Sequence, residues 1–239
     1  MTDQSAQPAG ERLPMQALLL DLDGTILDTA RDLMTATNRT LADLGRPAVS
    51  EAQVRAWIGD GVRALVKSAL AATGGYDDGT LDHAHERFML HYGDCFADES
   101  HPFPGVVAVL ERARAAGVPA AVITNKAGAF TEPLLEATGL RPYLAVVVSG
   151  DTVATKKPDP EPVRHALEQL GAEPQRSVMV GDSGNDVSAG LAAGCRVVCV
   201  TYGYNRGADV YQLGADRVVA TFDAVWDVVA PEGSLAGSA

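Results

Sequence analysis

An unbroken apolar run at 17–20 (Ala-Leu-Leu-Leu) stops at two carboxylates one residue apart, Asp21 and Asp23, with Gly24-Thr25 and the Asp28-Thr29 pair just behind. A hydrophobic strand does not end in paired acids by preference, so this ending points to chemistry. Two carboxylates converging at the C-terminal end of a strand suit a hard cation with oxygen ligands such as Mg²⁺. An aspartate there can also act as a nucleophile through an aspartyl-phosphate.

Further apolar runs follow at 119–123, 145–148, 178–180, 197–200 and 217–219, rich in Val, Ile and Leu without polar alternation. Strands buried on both faces look like this, as in parallel sheets. Helical stripes lie between them: Val106, Val109, Leu110 and Ala113 up to Gly117, and Val163, Ala166, Leu167 and Leu170 up to Gly171. The alternation predicts βαβ units and a doubly wound α/β fold with a Rossmann-like parallel sheet.

The interval from Thr29 to about Phe103 breaks the rhythm, with no convincing strand. Stripes at helical spacing run through Met34, Thr37, Leu41 and Leu44; Val54, Trp57 and Ile58; Val62, Leu65, Val66 and Ala69; and Phe88, Met89, Tyr92 and Phe96. Ser50 with Gln53 forms a capping-box signature at the second of them. These stripes predict an inserted all-helical cap domain at 29–103, with hinges near Asp28-Thr29 and 102–105. The α/β core is then 15–28 and 104–230, and the polar ends 1–14 and 231–239 are expected to be disordered tails.

Composition narrows the partners. The chain has 239 residues and a net charge of -12, which argues against nucleic acid, whose phosphates need clustered Lys and Arg. A small anion is still compatible, because a bound metal and a few donors reverse the sign of a site. Cys95, Cys195 and Cys199 are too few and odd in number for a disulfide framework. No stretch approaches the roughly 20 apolar residues of a membrane span, and the N-terminal residues lack a signal-peptide pattern. The expectation is a cytoplasmic protein, monomer or homodimer, with no membrane partner.

Four clusters fall at the predicted C-terminal ends of strands, where open α/β sheets bind ligands: Asp21/Asp23, Thr124-Asn125, Lys156-Lys157-Pro158, and Asp182 with Asp186. Singly, each has a plain reading: a turn at Asp23-Gly24, a helix cap at Thr124, a solvated lysine pair, and an acidic helix start. Recurring in this order at equivalent strand ends, they do not read as coincidence.

On these residues the chain resembles the haloacid dehalogenase superfamily. Asp21-Leu22-Asp23-Gly24-Thr25 is similar to its first motif, Thr124 to its second, Lys157 to its third, and Gly181-Asp182 with Asp186 to its fourth. The resemblance implies a phosphomonoester hydrolase in which Asp21 attacks phosphorus and Asp23 serves as acid and then base. It implies Mg²⁺ held by Asp21, the carbonyl of Asp23 and Asp182, with Asp186 orienting its neighbours. Lys157 would offset charge, and Thr124 and Asn125 would contact the phosphoryl group. Dehalogenases lack an acid at the position of Asp23, so its presence favours C–O–P cleavage.

Several stretches also resemble bacterial phosphoglycolate phosphatases, among them 57–61 (Trp-Ile-Gly-Asp-Gly), 123–126 (Ile-Thr-Asn-Lys), 149–152 and 202–205 (Tyr-Gly-Tyr-Asn). Asp60 stands where Asn is more usual and adds a negative charge to the inner loop of the cap. The resemblance implies 2-phosphoglycolate as the phosphorylated metabolite, hydrolysed to glycolate and phosphate. Another small sugar or amino-sugar phosphate, or a sugar phosphomutase reaction, is the alternative. The second anion of glycolate needs a balancing donor: Arg63 or a neighbour in the cap is expected, with Lys126 as a rival from the core.

Overall fold

The structure, a computed structural model, describes residues 11–231. In chain order its elements are β1 (Leu13–Met15), β2 (Ala17–Leu20), β3 (Leu27–Asp28), α1 (Ala30–Asp43), α2 (Glu51–Trp57), α3 (Val62–Ala72), α4 (Asp78–Gly93) and β4 (His101–Pro102). There follow α5 (Val106–Ala115), β5 (Ala120–Ile123), α6 (Gly128–Ala137), β6 (Leu144–Val148), α7 (Glu161–Leu170), β7 (Ser177–Gly181), α8 (Gly184–Ala193), β8 (Arg196–Val200), β9 (Arg217–Val219), α9 (Asp223–Val228) and β10 (Val229–Pro231). Among the described residues no helix is long and apolar enough to cross a membrane.

The main sheet has 6 strands in the order β6-β5-β2-β7-β8-β9, and every pairing in it is parallel. The expected α/β class with a parallel, doubly wound sheet is what the chain forms. The strand with the paired acids lies inside, between β5 and β7. There the chain order turns from one side of the sheet to the other, which is where such sheets leave a crevice. Period-two alternation explains the continuous apolar runs. Leu18, Leu20, Val122, Val178 and Val180 enter one core with α5 and α9. Ala17, Leu19, Ala121, Ile123 and Met179 enter the opposite core with α7 and α8.

The chain leaves the sheet through β3 and returns through β4, and these two short strands pair antiparallel, Leu27 with Pro102 and Asp28 with His101. The two connections therefore run side by side at the foot of the helical segment. A separate apolar cluster joins α1 to α4 through Leu33, Leu41, Leu65, Leu70, Phe88 and Tyr92, and takes in Phe130 and Tyr204 from the sheet side. Ser50 opens α2 as its sequence predicts, accepting from Gln53 N while the Gln53 side chain takes Ser50 N.

Two expectations need correction. Leu13 and Pro14, expected in a disordered tail, form with Met15 a strand paired parallel with Val229–Pro231, and Met15 is wholly buried. Such short segments, each ending at or containing a proline, carry no readable alternation. The tail expectations for 1–10 and 232–239 lie outside the described residues. His101–Pro102 is a strand within an interval read as strand-free. In addition, α4 begins at Asp78, capped by its neighbour Asp77, whose side chain accepts from Thr80 N, well before the aromatic stripe that revealed it.

Candidate active site

The ends of β2, β5 and β7 and the loop before α7 converge on one cleft of ≈ 590 Å³, open to solvent. Its charged walls are Asp21, Asp23, Lys126, Lys157, Asp182 and Asp186, and its apolar roof is Leu33, Ile58, Val62 and Leu65 from the helical segment. Thr124, Asn125, Ser183, Asn185 and Tyr204 complete it, with Gly59 and Gly61.

After Leu20 the ladder continues one step, Asp21 N donating to Val180 O at 2.9 Å. The chain then turns tightly, with Leu22 O accepting from the amides of Thr25, Ile26 and Leu27. Gly24 makes this turn possible. Its φ is +93°, and a Cβ there would lie 2.6 Å from Asp182 Oδ2 and 2.8 Å from the Tyr204 ring. Only glycine meets both demands.

The two opening aspartates stand in different surroundings. Lys157 Nζ donates to Asp21 Oδ1 at 2.5 Å and to Asp186 Oδ1 at 2.6 Å. Asp23 Oδ1 instead accepts from Thr29 Oγ1 at 2.7 Å and from Lys126 Nζ at 3.1 Å. The carboxyl of Asp21 is pushed up to about 7 by burial and by the charge of Asp186, against the pull of Lys157. Burial, Asp186 and Asp21 likewise raise Asp182 well above the usual carboxylate range. Burial works to lower Lys157, but Asp186 and Asp21 outweigh it and hold the ammonium above its ordinary value. Each effect follows from charge taken out of water beside other charge.

Asp182 and Asp186 are fixed by local structure. Asp182 accepts from Thr25 Oγ1 at 2.7 Å and from Tyr204 N at 2.5 Å. Asp186, in the first turn of α8, accepts through Oδ2 from the amides of Asp182 and Ser183 and from Ser183 Oγ. This is the usual preference of an acid for a helix start. Oxygens of Asp21, Asp182 and Asp186 lie within 4.8 Å of one another, all buried. Three buried carboxylates that repel one another fit a hard divalent cation. Asp186 already spends one oxygen on Lys157 and the other on three donors, which leaves Asp21 and Asp182 as the freer ligands.

Thr124 is buried and accepts from Lys126 N at 3.1 Å. Asn125 lines the cleft, but its amide is already occupied: Lys157 N donates to Oδ1, and Nδ2 donates to Lys157 O and Gly59 O, each at 2.9 Å. It braces the Lys157 loop and the 58–61 loop. Arg63 does not reach the cleft. Val62 and Leu65 line it, and Arg63, one step round the helix from Val62, points outward to pair with Asp82 at 2.6 Å with over half its side chain exposed. Helical rotation of about 100° per residue separates it from its neighbour.

Asp60, expected to add charge over the site, is neutralised instead. Arg206 pairs with its Oδ2 at 2.6 Å, and Asn185 donates to Oδ1 at 2.8 Å. The Arg206 hydrogen bond, opposed by burial and helped by Asn185, holds the Asp60 carboxyl below its ordinary value. Tyr204 was not assigned a role by sequence reasoning. Its hydroxyl donates to Asp28 at 2.6 Å and accepts from the amides of Thr29 and Ala30, while its amide holds Asp182. The only signal for it was its place in the 202–205 stretch.

A family model described as haloacid dehalogenase-like hydrolase matches residues 18–200. The phosphoglycolate phosphatase of Thiobacillus denitrificans is 46% identical over 209 residues, covering 87% of this chain and 92% of the relative. That of Nitrosospira multiformis is 44% identical over the same length, again 87% and 92%. Among solved structures, a predicted phosphoglycolate phosphatase from Haemophilus somnus superimposes with a TM-score of 0.86 at 30% identity, over 90% of this chain and 97% of that one.

Proposed function

The chain belongs to the haloacid dehalogenase-like hydrolase family and is a phosphatase, and from that premise we propose that it hydrolyses 2-phosphoglycolate to glycolate and phosphate through an aspartyl-phosphate at Asp21, with Mg²⁺. One observation carries the mechanism: two carboxylates two residues apart are held by different partners. Asp21 sits against Lys157 within a group of acids, and Asp23 sits against Lys126 and Thr29.

In the first half-reaction an oxygen of Asp21 forms a bond to phosphorus as the phosphorus–alkoxide bond breaks. Asp23 gives a proton to the departing oxygen. In the second, Asp23 takes a proton from water, which attacks phosphorus and releases phosphate, returning Asp21 to a carboxylate. Lys157 stays fixed between Asp21 and Asp186 and offsets negative charge where carboxylate and phosphate meet. Thr124 and the amides beside it donate to phosphoryl oxygens, and Asn125 keeps the Lys157 loop in place. Mg²⁺, held by Asp21, Asp182 and the main-chain carbonyl of Asp23, would supply charge compensation during transfer. Asp186 positions Lys157 and the start of α8.

The names of the close relatives and the second buried cation in the cleft, Lys126, support the substrate. The test is a panel of small phosphate esters with Mg²⁺, ranked by kcat/KM from phosphate release. Acid-quenched enzyme is then digested to find a phosphorylated peptide containing Asp21. If another ester leads the panel, the substrate is wrong. If phosphate is passed to a sugar phosphate instead of water, the reaction is a mutase. If no phosphorylated peptide forms under turnover, the nucleophile is wrong.

A further inference from the structure

Lys126 is a buried ammonium that the mechanism above does not use as a ligand. Its side chain is 3% exposed, it lines the cleft, and Lys157 is the only other cation among the described residues to do so. Lys157 is committed to two carboxylates. Lys126 donates to a single one, Asp23, at 3.1 Å. The face of Tyr92 covers it from another side, 4.8 Å from ring centroid to Nζ. An ammonium carries three N–H donors, and a buried cation with one anionic contact is costly unless a second anion completes it.

The position of Lys126 defines which anion. It shares an oxygen of Asp23, the group that faces the leaving alkoxide, so it stands on the alcohol side of the scissile bond. In a phosphorylated 2-hydroxy acid the carboxylate is attached to the carbon bearing the ester oxygen. One carbon separates that carboxylate from the ester oxygen that Asp23 protonates, which brings it within reach of an ammonium beside Asp23. Arg63 faces away, and Arg206 is spent on Asp60 and the carbonyl of Ile58.

We propose that Lys126 is the specificity-determining donor of this site, binding through an N–H left over by Asp23 the carboxylate of a short phosphorylated hydroxy acid while the Tyr92 side chain holds its position. The inference rests on the phosphoglycolate reading and adds the group that selects the acid. Phosphate esters of the same size without a carboxylate leave Lys126 half-satisfied and bind weakly.

The experiment compares 2-phosphoglycolate with ethyl phosphate, nearly the same shape without the carboxylate, using Mg²⁺-loaded wild type, Lys126→Met and Lys126→Gln. The readout is the ratio of the two kcat/KM values, in which damage to Asp23 common to both substrates cancels. Losing a charged hydrogen bond lowers that ratio by about 10–100-fold, carried mainly by KM for 2-phosphoglycolate. Lys126→Gln keeps a hydrogen bond to Asp23, so it carries the test if Lys126→Met does not fold. A ratio within about 3-fold of wild type, with both rates falling together, overturns the proposal and leaves Lys126 as a positioning residue for Asp23. If wild type prefers a different phosphorylated acid, the phosphoglycolate reading alone fails. Lys126→Met must then abolish the preference for that acid over its uncharged counterpart, or the Lys126 proposal fails too.

Discussion

Two ion pairs of equal length, 2.6 Å, one lining the cleft and one beside the 58–61 loop, differ in almost everything else. Lys157, in the loop before α7, and Asp186, in the first turn of α8, are each 2% exposed. Arg206 and Asp60 are 34% and 47% exposed and join the sheet to the 58–61 loop. Length therefore says nothing about worth. The buried pair interacts in a poorly screened setting, and its members have no water to fall back on. The half-exposed pair loses much of its attraction to solvent and salt. The first is a fixed, water-poor charge array, and the second is a screened contact between two loops.

The largest effect that would sharpen this contrast is Asp21→Asn. Phosphate release should fall by at least about 10³-fold, measured with saturating 2-phosphoglycolate, while the fold persists by circular dichroism. Lys157→Met comes next. It leaves Asp21, Asp182 and Asp186 together without a cation, and urea unfolding at pH 8 should show a loss of about 3–5 kcal/mol. A loss no larger than that of Asp60→Asn would break the comparison.

Mg²⁺ should act on the buried region alone. At 100 times its dissociation constant it stabilises by about 2.7 kcal/mol, read as a rise in Tm. Asp21 is raised from about 3.8 to about 7, so in metal-free protein its contribution to stability is present at low pH and is lost as pH rises through 7. The cation needs the ionised form, and the gain should therefore be larger at pH 8 than at pH 6. Asp60→Asn should do least: under about 1 kcal/mol in stability, with the salt dependence of KM reduced. If Asp60→Asn matches Lys157→Met in urea, the loop contact is structural and the contrast falls.

The sheet was legible because each inner strand carries a run of Val, Leu, Ile, Ala or Met buried on both faces, as 17–20 and 178–180 show. The acids were legible because Asp21, Asp23, Asp182 and Asp186 sit at strand ends in a fixed order. What stayed hidden were relations across long stretches of chain. Asp60 and Arg206 are 146 residues apart, and nothing local marks either as a partner of the other. Arg63 was chosen for its charge and its place in the cap, yet helical phase, which brings Val62 and Leu65 inward, turns it away. Tyr204 presented only an aromatic ring, while its work is done by its amide and hydroxyl. Strands as short as Leu13–Met15 have too few residues to show a period.

The pairing of Leu13–Met15 with Val229–Pro231 bears on how the molecule is made. Arg12, just before this strand, donates to the carbonyl of Trp226, 214 residues further on. At ribosomal speeds of about 5–20 residues per second, the early partner waits roughly 10–40 s for the late one. The central strand β2 also waits, for β5 and then β7. In that interval α1 to α4, whose contacts are mostly with each other, are all made. The helical segment that follows Asp21 is thus complete in the chain before the sheet edge at the cleft, which is assembled from strands made before and after it.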